Sequence, residues 1–152
     1  MKLTTKFLSF LLLGFCYGCG SSDDPGCVTL PVNAKSLENR YGCENTKNLL
    51  EIDTSEIFVI ISTQQQFENL VSGPCMPQID FTTYDLIIGE QVLSSGNNTI
   101  TYEETQDCTT NILEVTVTFN QNESAEAPTL TFHLLVPKLS NPNTTTVDIV
   151  IN

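Results

Sequence analysis

Glu56-Ile57-Phe58-Val59-Ile60-Ile61-Ser62-Thr63-Gln64-Gln65-Gln66-Phe67 joins a strand pattern directly to a helix pattern. The apolar, largely β-branched run at 57–61 leaves no polar face, so it predicts a strand buried on both sides and central in its sheet. Thr63 and Gln66 stand at the positions of a capping box, and Phe67, Leu70 and Val71 then recur at helical spacing until Gly73-Pro74. A strand followed at once by a short amphipathic helix that packs on the sheet is the centre of the expected fold.

Downstream the pattern is one of strands. Tyr84, Leu86, Ile88 and Val92 share one face of a strand at 84–93, in which Gly89 reads as a bulge. Ser94-Ser95-Gly96-Asn97-Asn98 reads as a turn into Thr99-Ile100-Thr101-Tyr102, which predicts a hairpin between 84–93 and 98–107. Leu113, Val115, Val117 and Phe119 alternate with Ile112, Glu114, Thr116 and Thr118, giving one buried and one largely wet face. Leu130, Phe132, Leu134 and Val136 line one face of the next strand, and Val147, Ile149 and Ile151 one face of the last. The polar stretches 121–128 and 140–143 read as exposed connections. Upstream, Gly42 and the Asn residues interrupt any helix, which leaves a short strand at about 48–53. The fold class is α+β, mostly antiparallel β-sheet with one short packed helix. Its length suits one core, a single mostly-β domain over 32–152.

The beginning of the chain carries an address. Lys2 and Lys6 precede the apolar run Phe7-Leu8-Ser9-Phe10-Leu11-Leu12-Leu13-Gly14-Phe15, and small residues follow at Gly18 and Gly20. This is the layout of a signal peptide over 1–18, too short to span a bilayer, which takes about 20 apolar residues. Cys16-Tyr17-Gly18-Cys19 resembles a lipobox, which makes Cys19 the lipidated residue and 19–31 a tether; cleavage after Gly20 is the competing reading. Asp23-Asp24 after Ser21-Ser22 resembles the acidic export signal of Bacteroidota surface lipoproteins. The expected location is the outer membrane, lipid-anchored, facing the cell surface, with no membrane contact apart from the anchor.

Loss of residues 1–18 removes Lys2 and Lys6 and no acid, so four Lys/Arg face eighteen Asp/Glu, a net charge of −14. No basic residue lies between Lys47 and Lys138. A surface of this sign repels phosphate backbones, so nucleic acid is not an expected partner. Past the anchor the cysteines are Cys27, Cys43, Cys75 and Cys108, an even number that in an exported chain reads as disulfides with three pairings open. The hairpin register would bring Cys108 near residue 83 and the loop holding Cys75. Cys75–Cys108 is therefore expected, with Cys27–Cys43 by elimination.

Strand, helix, Ile79-Asp80-Phe81, Tyr84-Asp85-Leu86-Ile87-Ile88-Gly89, a Gly-containing turn, a strand pair and His133-Leu134-Leu135-Val136-Pro137-Lys138 follow in an order that resembles the C-terminal domain of PrcB-type proteins. Those proteins stabilise a surface protease complex, and related lipoproteins occur in Bacteroidota. The resemblance covers about 56–151 and implies an α+β domain with a protein-binding role. Gly96-Asn97-Asn98-Thr99 stands where that family tends to carry Gly-Gly-Tyr.

Chemistry-bearing residues are few. His133 sits in a β pattern between Phe132 and Leu134, with no Ser, Cys or Asp at a telling spacing. Glu103 and Glu104 point to opposite faces of a strand, and Asp107 ends it, so they do not form a carboxylate pair. Asp80 and Asp85 flank a turn, where Asp bonds nearby amides. No residue is expected to be catalytic, and neither a metal nor a cofactor is expected. The sequence thus points to a surface protein-binding module, the alternative being a small secreted hydrolase. Polar groups converging on a concavity would favour the enzyme, and a flat sheet with an apolar patch the module. Metabolic labelling with a fatty-acid analogue should mark the wild type and leave Cys19→Ser unmarked; equal labelling of the two would remove the anchor.

Overall fold

The computed structural model describes residues 30–152; the leader, Cys19, Cys27 and most of the tether lie outside them. In chain order the elements are β1 (Leu30–Pro31), α1 (Leu37–Tyr41), α2 (Thr46–Leu49), β2 (Glu51–Ile52), β3 (Phe58–Ile61), α3 (Gln64–Leu70), β4 (Val71–Ser72), β5 (Tyr84–Val92), β6 (Asn97–Gln106), β7 (Leu113–Gln121), β8 (Thr129–Pro137), a 3₁₀ turn (Pro142–Thr144) and β9 (Thr145–Ile151). This is the expected α+β class dominated by antiparallel sheet.

The strands form a four-stranded sheet, β1-β6-β7-β9, a three-stranded sheet, β3-β5-β8, and a small β2-β4 pair. Period-two alternation decides the layering. Ile87, Leu130, Phe132, Leu134 and Val136 pack against Leu113, Val115, Val117 and Phe119 to form the core between the two large sheets. Leu86, Ile88 and Leu135, on the opposite face, pack with Leu37, Leu50, Phe67 and Ile79 from the helical side. The three-stranded sheet is therefore covered on both faces.

Sequence and structure part over which strand is central. Phe58–Ile61 of the run forms β3, an edge strand, with Ile57 just before it 63% exposed, while β5 takes the middle between β3 and β8. With both edges of β5 occupied, no hairpin with β6 can form, and β6 pairs with β7 in the other sheet. The connection between β5 and β6 crosses from sheet to sheet: Leu93 N–H donates to Pro128 C=O, Gly96 N–H donates to Ser124 C=O, and Gly96 C=O accepts from Asn122 N–H. The last strand, β9, runs parallel to β7.

Gly89 does not mark a bulge. It pairs in register with Phe58 and Phe132, and a Cβ there would lie 2.2 Å from Ile57 O and 2.6 Å from the Phe132 ring, so close approach demands the glycine. The register shift falls instead between Asn97 and Thr99. The expected helix forms as α3, with Thr63 Oγ1 accepting from Gln66 N–H and Gln66 Oε1 accepting from Ser62 N–H. Two further helices occupy the stretch expected to hold none. Ser36 caps α1 by accepting from Asn39 N–H, Gly42 closes it at φ 71°, and Asn45 at φ 51° starts α2. Gly42 and the Asn residues, expected to interrupt any helix, instead delimit two short ones, and of the expected strand only Glu51–Ile52 pairs as a strand.

The misplaced hairpin also misplaced the disulfides. Cys43, just after α1, is bonded to Cys75 with the Cα atoms 5.7 Å apart, so neither Cys75–Cys108 nor Cys27–Cys43 forms. Cys108 is itself disulfide-bonded. The Cys43–Cys75 bridge spans 32 residues and ties the helical side to the loop before β5. Peptide mapping without reduction should recover Cys43 joined to Cys75. Cys75→Ser should lower stability by about 2–4 kcal/mol in denaturant unfolding.

Candidate functional site

Where β8 and β6 lie at the side of the sandwich, α1 and α2 fold over them and leave a cleft of about 510 Å³. Its wall carries Glu38 from α1, Thr46 and Lys47 from α2, Ile100, Tyr102 and Glu104 from β6, and Thr131 and His133 from β8. Alternation along β8 turns Leu134 to the inter-sheet core and His133 to the helical side.

His133 is 3% exposed. Its Nε2 lies 2.5 Å from Thr46 Oγ1 and 3.4 Å from Glu38 Oε2, while Thr46 Oγ1 donates to Glu38 Oε1. The backbone N–H of His133 donates to Tyr102 Oη at 3.2 Å, which carries a bond across from β8 to β6. Nδ1 is buried with no hydrogen-bond partner. Partial burial raises the Glu38 carboxyl, but the hydrogen bond and charge of His133, with smaller help from its own backbone and Ser36, bring it down to about 2. Burial pushes the Tyr102 phenol up to about 12 against the lowering effect of the His133 N–H, and it also raises Glu104.

The proton inventory separates this cluster from a nucleophilic triad. In a triad one ring nitrogen takes the hydroxyl proton and the other is oriented by the acid. Here hydroxyl and acid both approach Nε2, the hydroxyl proton is directed to Glu38, and Nδ1 has no orienting group. Glu38, Thr46 and Nε2 of His133 bond to one another and hold α1 and α2 against β8, while Nδ1 is left without a partner.

The remaining residues weighed in the sequence are dispersed. Glu103 faces solvent and Glu104 the cleft, on opposite faces of β6 as expected. Asp107 accepts from Thr109 and Thr110 amides, and Asp80 from Thr82 N–H and the Thr82 and Thr83 hydroxyls. Asp85 is fully buried, bonded to Lys138 Nζ at 2.7 Å and Leu139 N–H at 2.8 Å. Among the described residues no group of three or more His, Cys, Asp or Glu could hold a metal ion, and no helix is long and apolar enough to cross a membrane.

Glu38, Thr46 and Tyr102 escaped the sequence reading. A signal for the first two was present: Ser36 and Gly42 bracket a short helix, and a His flanked by apolar residues in a two-face-buried strand requires polar groups from whatever covers it. No protein-family model, curated protein or solved structure matches the chain.

Because the folded value of Glu38, about 2, lies below its ordinary 4.5, its contribution to stability is present above pH 4.5 and is lost as pH falls towards 2. Asp80 and Asp107, also lowered, act in the same direction. Denaturant unfolding of Glu38→Gln should therefore show a shallower loss of stability over that window than the wild type, by one proton's uptake.

Proposed function

We propose that this protein is an exported, lipid-anchored module that binds another surface protein and uses the cleft between β6 and β8 as its contact site. The observation that carries the reading is the division of labour within the cleft: Glu38, Thr46 and His133 are bonded to one another, whereas β6 beside them, past the short β1, keeps backbone groups at Ile100 and Tyr102 with no strand partner among the described residues. Exposed strand edges bind extended segments through main-chain hydrogen bonds, without any special side chain. The leader, Cys19 and the acidic residues after it support an outer-membrane, surface-facing location. A disulfide in a chain of this kind agrees with export. The likeness to PrcB-type domains supports a role in stabilising a surface complex.

A small secreted hydrolase is the second reading, favoured by the convergence of Glu38, Thr46 and His133 on a concavity, the arrangement expected of the enzyme, and by the 2.5 Å approach of Thr46 Oγ1 to His133 Nε2. The binding reading takes precedence because the hydroxyl proton is already committed to Glu38 and Nδ1 lacks an orienting acid.

Photo-crosslinking amino acids placed at Asn39 and Asn98 of the native, membrane-anchored protein should capture the same partner protein. One at Glu123, in the β7–β8 loop, should not. The purified protein should show no ester or peptide hydrolysis that depends on His133. A hydrolytic activity abolished by His133→Ala, with the circular dichroism spectrum intact, would replace the module with the enzyme.

A further inference from the structure

The strand position beside β6 is only partly filled. β1 occupies it opposite Thr105 and Gln106, and Val32 N–H donates to Glu104 C=O at 3.3 Å. The chain then leaves the sheet, and Lys35 exchanges two backbone bonds with Leu135 of β8. In an antiparallel ladder the backbone groups that turn outward alternate, so the bond to Glu104 sets the parity for the rest of the strand. Tyr102 and Ile100 must also turn N–H and C=O away from β7. Among the described residues nothing pairs with those groups, and both residues line the cleft. Among the described residues the result is an open strand position beside Ile100 and Tyr102, collinear with β1 and ending at the Asn98 carbonyl that Lys47 holds.

Charge selects the occupant. The described basic residues are Lys35, Arg40, Lys47 and Lys138. Lys138 is tied to Asp85, and Arg40 stacks over the Tyr84 ring at 5.5 Å. Lys35 and Lys47 both line the cleft and have no carboxylate partner among the described residues. Lys47 Nζ lies 3.3 Å from the Asn98 carbonyl, at the end of the vacant position far from β1. Of the carboxylates on the same wall, Glu38 is held by Thr46 and His133, and Glu104 lies at the opposite end beside β1.

We propose that an extended segment of a partner protein adds as a strand beside Ile100 and Tyr102 and places an acidic side chain on Lys47. This rests on the binding-module reading and specifies its site and the chemistry of its partner. The segment's backbone satisfies the open N–H and C=O groups of β6, and its carboxylate finds a cation that has no acid of its own. An acidic protein surface elsewhere keeps non-specific anionic chains away, so the local cation gives selectivity at this position.

The full-length protein in mild detergent can be titrated with three probes: acetyl-Thr-Val-Asp-Val-Thr-amide, the same peptide with Lys for Asp, and the Asp peptide N-methylated at alternate residues to block strand addition. The Asp peptide should shift the amide resonances of Ile100 and Tyr102 and bind about tenfold tighter than the Lys peptide, the factor given by one charge-assisted hydrogen bond. Lys47→Glu should abolish that preference, and the N-methylated peptide should not bind. Equal affinity for the Asp and Lys peptides, no binding of either at millimolar concentration, or shifts confined to the outer edge of β9 would overturn the proposal. If cross-linking at Asn39 and Asn98 still captured a partner and Lys47→Glu left it unchanged, the module reading would stand and only the strand slot would fall.

Discussion

The three-stranded sheet is buried on both faces, and that constraint organises everything around it. A polar side chain on such a sheet costs several kcal/mol unless a partner is brought to it. Three side chains on β5 and β8 incur this demand. Asp85 draws in Lys138 and the Leu139 amide, Thr131 donates to Leu50 C=O at the end of α2, and His133 draws Thr46 and Glu38. Each tie recruits a segment that would otherwise be free to pack elsewhere. The helices lie where they do because β8 carries Thr131 and His133 among its apolar neighbours, and the cleft exists because the helices lie there.

Local pattern and long-range pairing were unequally legible. The strand at 84–93 was read to within one residue of its observed end at Val92, and the alternation placed the buried face of β7 and the inter-sheet face of β8, because alternation is a property of consecutive residues; that the other face of β8, with Thr131 and His133, is buried too did not show in it. The cap of α3 was readable for the same reason. Which strands become neighbours depends on competition for edges, and nothing in Ser94-Ser95-Gly96 announces that both edges of β5 are already taken. The error spread to Cys75, whose partner was inferred from that pairing. Thr46 lies 87 residues from His133, and no spacing rule connects a hydroxyl in a one-turn helix with a ring on the penultimate strand.

The Gly89–Phe132 contact shows how a local letter can be read correctly as special yet for the wrong reason. A glycine in a strand signals either a kink or a neighbour with no room to spare, and the sequence does not distinguish them. Here the ring that displaces a Cβ also meets Phe119 edge-on at 6.2 Å, so the missing side chain is part of how the two large sheets interlock.

The Cys43–Cys75 cross-link fastens the stretch between α1 and α2 to the loop that leads into β5. Short helices of five and four residues have little cooperativity of their own and would ordinarily fray on fast timescales. A covalent staple at their junction transfers the cost of ordering them to oxidative folding, before the proposed partner arrives. The wall of the cleft is then set in advance, and association need not include the entropy of assembling it. Reduction of that one bond would leave the sheets standing while the wall breathes, which makes the compartment's thiol poise a determinant of how rigid a surface the protein presents.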